Sequence, residues 1–336
     1  MRLFILVIVG MVFASTFAGM TAEAKLAIRD GAVGRYSYHV VDDTGKDVSN
    51  AQVHVWFSSY GRPQDKADWL LETDVNGMLT VEHRFNEKIS VGVDKEGYYH
   101  THDEVNYLQM KELPVKDGKW QPYGETRTVV LKRIKTPIQM SVPSKSDRRG
   151  YPEHGKWTGY DLAKHDWVTP DGNGICADMK IRFVTQRFDG RDFTRTMEVS
   201  FADIPYGGAY LMDADESSEF KTAYAANTNA SYLSEFKFEF RHKGRELVYD
   251  ELKAGQYLVF RTRTEVNPDG TLKSAHYGVI MGEWKFFERY GMSISKILFN
   301  PTPNDTNLED AETARRARLA YRQRQELEWR RKNGLR

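Results

Sequence analysis

The sequence predicts an all-β protein with two antiparallel β domains, the second a sandwich or a barrel, and a short C-terminal helix. Three observations lead to this prediction. Apolar and polar residues alternate over short stretches, glycine-containing turn dipeptides separate those stretches, and only residues 305–336 change to a composition rich in Ala, Arg, Glu and Gln. Alternation with a period of two is typical of strands that are buried on one face.

The composition bounds both the size of the fold and the kinds of partner. The chain has 336 residues, of which 40% are hydrophobic, and this is sufficient for two buried cores. Its 48 basic and 47 acidic side chains nearly cancel, so we expect no nucleic-acid partner. Cys176 is the single cysteine, which rules out an internal disulfide.

Residues 1–24 have the pattern of a secretory signal peptide. Arg2 precedes the apolar run LFILVIVGMVFASTFAG, and a small-x-small site follows at residues 22–24. We therefore expect cleavage after Ala24, export to the periplasm or the exterior, and no stable transmembrane span afterwards. An uncleaved signal that anchors the protein in the membrane is the alternative. A large exported chain without disulfides is typical of a Gram-negative bacterial envelope.

Residues 25–135 are predicted to form the first domain. Three alternating triplets mark its strands: Tyr36, Tyr38 and Val40; Val53, Val55 and Phe57; Ile89, Val91 and Val93. The Asn76-Gly77 pair predicts a hairpin turn. The segment TRTVVLKRI predicts a closing strand.

The order of these segments resembles the carboxypeptidase regulatory-like domain, a transthyretin-like β-sandwich. The resemblance rests on VVDDTGKDVSNAQVHV, TDVNGMLTV, ISVGVDKEGYY and VVLKR, and it covers residues 27–135. It implies a sandwich and no catalytic residues, because domains of this family usually contribute none. Two long excursions, SSYGRPQDKADW and EVNYLQMKELPVKDGKWQPYGE, depart from the compact pattern of the family.

The rest of the chain is predicted to hold a linker, a second β domain and a helical tail. Residues 136–156 contain three prolines and no usable period, which indicates a linker. In residues 157–304, strand pairs are predicted around Asp189-Gly190, Lys243-Gly244 and Pro268-Asp269-Gly270. Two blocks within residues 261–310, RTRTEVNPDGTLKSAHYG and FNPTPNDTNLED, resemble only uncharacterised exported bacterial proteins.

Residues 305–336 predict a basic helix whose apolar residues form no clean stripe. We interpret this tail as a solvated helix. Contact of its arginines with an anionic lipid or another envelope polymer is the alternative.

The segment YYHTHD contains a candidate metal site. In an extended backbone His100 and His102 project to the same face, which is a workable spacing for zinc or copper. A third ligand is needed, and His83, His54 or Glu104 could supply it. The alternative is a polar strand end that leads into a loop.

Five aromatic residues are candidates for ligand binding: Tyr98, Tyr99, Trp157, Tyr160 and Trp167. Exposed flat rings flanked by polar groups form platforms for sugars or for side chains of a partner. The alternative is that these rings fill the cores of the two domains.

No complete catalytic signature occurs in the chain. We therefore expect a non-catalytic binding or structural module of the bacterial envelope, without a cofactor, that contacts carbohydrate or another envelope protein. One alternative is a periplasmic metal-binding protein. The other is a carbohydrate-active hydrolase whose carboxylates converge in the second domain, with no pair preferred among Glu198, Asp203, Glu239 and Glu283.

Overall fold

The computed structural model describes residues 20–62, 65–141, 148–287 and 291–333. Strands in several largely antiparallel sheets dominate this part of the chain, so the predicted all-β class is confirmed. The chain divides into two compact units. The first unit comprises the described residues of Met1–Ile134, Ser217–Glu219 and Ala317–Arg336, and the second those of Lys135–Glu216 and Phe220–Arg316.

The first unit contains two sheets. Its elements are helix α1 Ala22–Asp30, strands β1 Ala32–Asp42, β2 Gln52–Ser58, β3 Ala67–Glu72, β4 Met78–Phe85, β5 Lys88–Asp94 and β6 Thr101–Asn106, the 3-10 turn Tyr107–Gln109, and strands β7 Val115–Lys116, β8 Lys119–Trp120 and β9 Glu125–Leu131. One sheet has the order β4-β1-β8-β7, with β9 also paired to β1, and the other has the order β3-β2-β5-β6. Strand β1 pairs in parallel with β8 and β9, so the first sheet is mixed rather than purely antiparallel.

The core of the first unit lies where the alternation predicted it. All nine residues of the three triplets are buried: Tyr36, Tyr38, Val40, Val53, Val55, Phe57, Ile89, Val91 and Val93. They belong to one apolar cluster that draws on both sheets. The rings of Tyr107 and Trp120 stack in the same cluster, with their centroids 4.1 Å apart. The unit is therefore a β-sandwich.

The Asn76-Gly77 turn forms, but it does not close a hairpin. Gly77 has φ +69°, and its N–H donates to the carbonyl of Asp74 at 3.1 Å. The flanking strands belong to different sheets, because β3 pairs with β2 and β4 pairs with β1. A Cβ at Gly77 would lie 2.4 Å from the carbonyl oxygen of Val40. Glycine thus lets the chain pass close to β1 as it changes sheets, and the predicted hairpin is wrong.

A distant segment covers the outer edge of β6. The carbonyl of Ser217 accepts the N–H of His102 at 2.8 Å, and the N–H of Glu219 donates to the carbonyl of His100 at 2.9 Å. Ser217–Glu219 therefore belongs to the first unit although it is remote in sequence. Edge strands that are covered in this way have fewer free backbone groups for pairing with other chains.

The second unit contains two further sheets. Its strands are β10 Arg148–Arg149, β11 Thr158–Asp161, β12 Asp166–Trp167, β13 Met179–Arg187, β14 Phe193–Phe201, β15 Gly208–Asp213, β16 Glu235–Lys243, β17 Glu246–Asp250, β18 Gln256–Val266, β19 Leu272–Phe287 and β20 Gly291–Phe299. One sheet has the order β10-β20-β19-β18-β15 and the other β12-β11-β13-β14-β16-β17. The three predicted strand pairs of this region form as antiparallel β13-β14, β16-β17 and β18-β19.

The two sheets of the second unit enclose a common core. Ile181 and Val199 of the six-stranded sheet share one apolar cluster with Leu258 and Phe260 of the five-stranded sheet. Val259, between the last two, belongs to a separate cluster. Because successive strand residues point to opposite faces, the five-stranded sheet is buried on both sides. This arrangement is a sandwich of two open sheets.

Part of the predicted linker, residues 136–156, is paired within the second unit. Ser141 forms a bridge with Phe299, and β10 extends the five-stranded sheet next to β20. Helix α2, Ala311–Lys332, ends the described chain, and its residues from Ala317 onward are grouped with the first unit.

The predicted signal peptide lies largely outside the described residues. Helix α1 begins at Ala22, and the side chain of Thr21 caps it by accepting the N–H of Ala24 at 3.1 Å. The predicted cleavage position after Ala24 is thus in the first turn of this helix. Within the described ranges, neither helix combines the length and the apolar character that crossing a bilayer requires.

Candidate functional site

The five candidate rings divide into buried and accessible ones. Tyr99, Tyr160 and Trp167 are at most 3% exposed. A ring that is enclosed by protein offers no face to a sugar or a partner, so the expectation is corrected for these three. Tyr160 and Trp167 belong to the apolar core of the second unit. Trp157 keeps 43% of its surface exposed, and Tyr98 is half-buried.

Local strand pairing explains why two of these rings are buried. Tyr160 of β11 pairs with Trp167 of β12, and the two rings meet edge to face with centroids 5.2 Å apart. The indole N–H of Trp167 donates to the carbonyl of Gly150 at 2.8 Å. Strand β12 has only two residues, which is too short for alternation to reveal it in the sequence.

Among the residues that the structure describes, the predicted histidine pair has no third ligand. His100 lies before β6 and its Nδ1 is 3.0 Å from Oδ1 of Asp94, while His102 is exposed in β6. A Cβ at Gly92 would lie 2.9 Å from Cε1 of His100, which places that imidazole close against the backbone of β5. No group of three or more His, Cys, Asp or Glu side chains in the described part of the chain could hold a metal ion. The structure therefore does not assemble the zinc or copper site that the spacing suggested.

Trp157 borders a groove on the six-stranded sheet, immediately before β11. We call this the Trp157 groove. It has a volume of about 400 Å³ and is lined by Trp157, Arg182, Glu198, Val199, Glu235, Phe236 and Lys237. The strand register aligns Arg182 of β13 with Glu198 of β14, and Glu198 with Lys237 of β16. Residues directly opposite each other share a face, so these three form a charged row across the sheet.

Arg182 links the indole ring to this charged row. Its guanidinium carbon lies 4.8 Å from the centroid of the Trp157 ring. Its Nε donates to Oε2 of Glu198 at 2.8 Å, and its Nη2 donates to the same oxygen. Since both partners are partly exposed, the pair contributes at most about 1 kcal/mol to stability. Its main effect is to hold the guanidinium against one face of the ring.

The groove combines the chemical groups that a sugar requires. The C–H face of a pyranose packs on an aromatic ring, while its hydroxyl groups donate to carboxylates and accept from guanidinium or ammonium groups. Trp157 supplies the ring, and Glu198, Glu235, Arg182 and Lys237 supply the polar groups. Two basic and two acidic side chains balance each other, which favours a neutral ligand over a strongly charged one.

The carboxylates considered for a hydrolase do not all converge. Glu198 lies in the Trp157 groove. Asp203 accepts the N–H of Thr264 at 3.0 Å, and Glu283 accepts from Nζ of Lys285 at 2.5 Å. Sequence analysis did not single out the second carboxylate of the groove, Glu235. It alternates with apolar positions of β16, and that alternation is the signal that could have placed it on the outer face.

A buried ionic cluster of the second unit was also missed. Asp161 and Asp178 both accept hydrogen bonds from Arg263 of β18. Asp178 also accepts from the N–H of Leu162 and from the hydroxyl of Thr262, and backbone N–H groups supply the other donors to Asp161. All four carboxylate oxygens thus have protein donors. The cluster holds chain segments together instead of presenting a free acid or base to a substrate.

Comparisons with known proteins give no functional assignment. No family model matches the chain, and no curated protein matches it. Among solved structures, chlorocatechol 1,2-dioxygenase from Pseudomonas putida aligns at 16% identity and TM-score 0.26, over 31% of this chain and 61% of that enzyme. The 3-chlorocatechol 1,2-dioxygenase from Rhodococcus opacus 1CP aligns at 13% identity and TM-score 0.26, over 31% and 61%. Catechol 1,2-dioxygenase from Acinetobacter radioresistens aligns at 14% identity and TM-score 0.24, over 37% and 58%.

These alignments therefore reach 58% to 61% of the length of the three enzymes. At such TM-scores the likeness carries no argument about the fold or the reaction of this chain.

Proposed function

We propose that this protein is an exported, non-catalytic binding module of a bacterial envelope, and that its second unit binds a neutral oligosaccharide in the Trp157 groove. The observation that carries the proposal is the ring of Trp157, which is 43% exposed beside the charged row of Arg182, Glu198 and Lys237. In this proposal the first unit is a carboxypeptidase regulatory-like sandwich, and the signal-like residues 1–24 direct export.

The arrangement of the groove supports a sugar over an apolar ligand. The ring of Trp157 is large, rigid and accessible, as is typical of residues that bind a ligand. Exposure of its apolar surface to water is unfavourable, and a ligand would cover that surface. The guanidinium of Arg182 is already held between Trp157 and Glu198, so binding would order few additional bonds there. Both signs of charge occur in the groove, and this suits a ligand rich in hydroxyl groups.

The proposal is tested by calorimetric titration of the purified protein with neutral oligosaccharides of bacterial and plant cell walls. We expect Trp157→Ala to weaken the binding of the responding sugar about tenfold or more, equivalent to about 1.4 kcal/mol, because the stacking face is lost. Trp56→Ala is the matched control. Trp56 is 48% exposed in the first unit and also has a cation nearby, with Nζ of Lys88 5.8 Å from its ring centroid.

Four results would contradict the proposal. The groove is not the site if Trp157→Ala and the wild type bind equally, or if Trp56→Ala loses as much affinity. A panel without any response excludes neutral oligosaccharides and leaves a protein partner. Release of new reducing ends from a bound sugar, abolished by Glu198→Gln or Glu235→Gln, would contradict the non-catalytic assignment and favour a hydrolase.

A further inference from the structure

The first unit contains a cleft of different chemistry, which we call the Arg318 cleft. It has a volume of about 460 Å³ and is lined by Lys95, Glu96, Gly97, Tyr98, Ile134, Arg318, Tyr321, Arg322 and Gln325. One wall is the turn that follows β5, and the other is helix α2. All lining residues belong to the first unit. The volume is in the range of small-molecule sites.

One face of helix α2 forms the basic wall of this cleft. Arg318, Tyr321, Arg322 and Gln325 follow the spacing i, i+3, i+4 and i+7, which places them on one side of a helix. Arg318 and Arg322 are both exposed and carry like charges one turn apart, an unfavourable arrangement in an isolated helix. An anion that binds between them would remove this repulsion.

Other arginines of the same helix already have acidic partners. Arg315 and Arg316 both pair with Glu312. Further along the helix, Arg324 pairs with Asp94 and Arg330 with Glu326. Within the described residues, by contrast, the side chains of Arg318 and Arg322 have no hydrogen bond or ion pair. The two guanidinium groups that face the cleft are thus available to a ligand.

The opposite wall adds a third cation and an aromatic ring. Nζ of Lys95 donates to the carbonyls of Ser49 and Asn50, at 3.0 Å each, which holds this ammonium group at the turn. Tyr98 and Tyr321 supply rings on the two walls. Glu96 is the only acid among the lining residues, so three basic groups face one acidic group.

We propose that the Arg318 cleft binds a phosphorylated sugar, with Arg318 and Arg322 on the phosphate and the two tyrosines beside the sugar ring. Guanidinium groups match the oxygens of a phosphate through paired hydrogen bonds, and they stay charged at any physiological pH. The concave shape and the tyrosine on each wall favour a small organic phosphate over a flat membrane. This site lies in the first unit and does not depend on the Trp157 groove.

The test measures binding by calorimetry at low ionic strength with four probes: inorganic phosphate, a hexose 1-phosphate, the neutral hexose, and vesicles that contain phosphatidylglycerol. We expect the hexose phosphate to bind more tightly than inorganic phosphate, and the neutral hexose not to bind in this cleft. Binding should weaken as the ionic strength rises to about 0.15 M, because the contact is electrostatic.

The variant Arg318→Gln with Arg322→Gln should weaken the hexose phosphate about tenfold or more. The matched control is Arg315→Gln with Arg330→Gln, which removes the same charge from the same helix at arginines outside the cleft, and it should change affinity less than about threefold. The cleft variant should unfold at a temperature no lower than the wild type, because it removes a repulsion, so loss of binding cannot be attributed to unfolding.

Several outcomes would overturn the inference. These are equal losses in the two double variants, binding of the neutral hexose by the Trp157→Ala variant as tight as that of the hexose phosphate, or no response to either phosphate. Binding of vesicles without binding of the soluble hexose phosphate would identify a lipid headgroup as the ligand instead. The two proposals are separable, because Trp157→Ala should leave phosphate binding intact and the Arg318 and Arg322 variant should leave neutral oligosaccharide binding intact.

Discussion

Arg263 donates from Nε and Nη2 to the two carboxylate oxygens of Asp178, at 2.8 and 3.0 Å. The side chain of Asp178 is fully buried, and the guanidinium lies 4.7 Å from the ring centroid of Phe299. The two partners are 85 positions apart in sequence, so the pair joins distant segments inside the second unit. A buried carboxylate depends on such a partner, because its charge is not otherwise stabilised there.

Arg263→Met should lower the free energy of unfolding of the second unit by about 3 to 5 kcal/mol, because it leaves a buried charge uncompensated. Urea unfolding followed by circular dichroism measures this. Arg182→Met is the control, since it breaks a partly exposed pair with Glu198 and should cost at most about 1 kcal/mol. Losses of equal size in the two variants would show that the buried pair contributes no more to the free energy of unfolding than the partly exposed pair.

The same cluster should make stability depend on pH. Burial by itself would raise the pKa of Asp161, but backbone N–H groups of Ile175, Cys176 and Lys164, together with the charge of Arg263, hold this pKa below its ordinary value. At a pH between the pKa of Asp161 in the folded state and its higher pKa in the unfolded state, the unfolded state binds more protons. The contribution of Asp161 to stability is therefore fully present above about pH 4. It is lost as the pH falls through the lower pKa that Asp161 has in the folded state.

We expect Asp161→Asn to make the dependence of unfolding free energy on pH shallower below about pH 4. The measurement is a series of denaturant titrations over this range. The slope is the relevant quantity, because the substitution also lowers stability at every pH. An unchanged slope would mean that other carboxylates account for the acid sensitivity.

Gly77→Ala should destabilise the first unit more than Gly45→Ala. Both glycines have positive φ, +69° and +84°, so each substitution incurs a backbone strain of about 1 to 2 kcal/mol. Only at Gly77 would the new Cβ also approach the carbonyl oxygen of Val40, at 2.4 Å, whereas nothing lies within 4 Å at Gly45. Thermal unfolding of the two variants measures the difference, and equal melting temperatures would contradict the close approach.

Glu219→Pro should loosen the edge of β6. Proline has no N–H, so the hydrogen bond to the carbonyl of His100 is lost, at a cost of about 1 to 3 kcal/mol. Hydrogen exchange of the His102 amide should accelerate, because its acceptor, Ser217, belongs to the same segment. Glu219→Ala keeps the backbone donor and is the control. Unchanged exchange in the proline variant would show that the segment does not protect this edge.

The sequence could predict those features of the fold that depend on residues adjacent in the chain. Tyr36 and Tyr38 are buried as their alternation indicated, because the period of a strand is a local property. The turn at Gly77 was also visible, but its place between two sheets was not, because the pairing of β3 and β4 depends on strands elsewhere in the chain. Turn chemistry specifies a change of direction and leaves the pairing partner open.

In the candidate sites, too, the sequence could not predict features that depend on pairing between distant segments. Trp157 and Tyr160 lie three positions apart in similar surroundings, yet one ring is exposed and the other is buried. The difference follows from the pairing of Tyr160 with Trp167, which only the folded sheet reveals. Likewise, Arg318 shows no special feature in an arginine-rich tail until the partners of the other arginines are known.

The segment Ser217–Glu219 and the last part of helix α2 also bear on the order in which the units form. A ribosome delivers residues from the N-terminus, so the first unit is begun first, but its edge on β6 is covered only after residue 219 has been made. Its helical wall is complete only when residues 317–332 follow. The first unit is therefore begun first and completed last. If synthesis stopped before residue 217, the incomplete chain would expose the edge of β6 to other nascent chains.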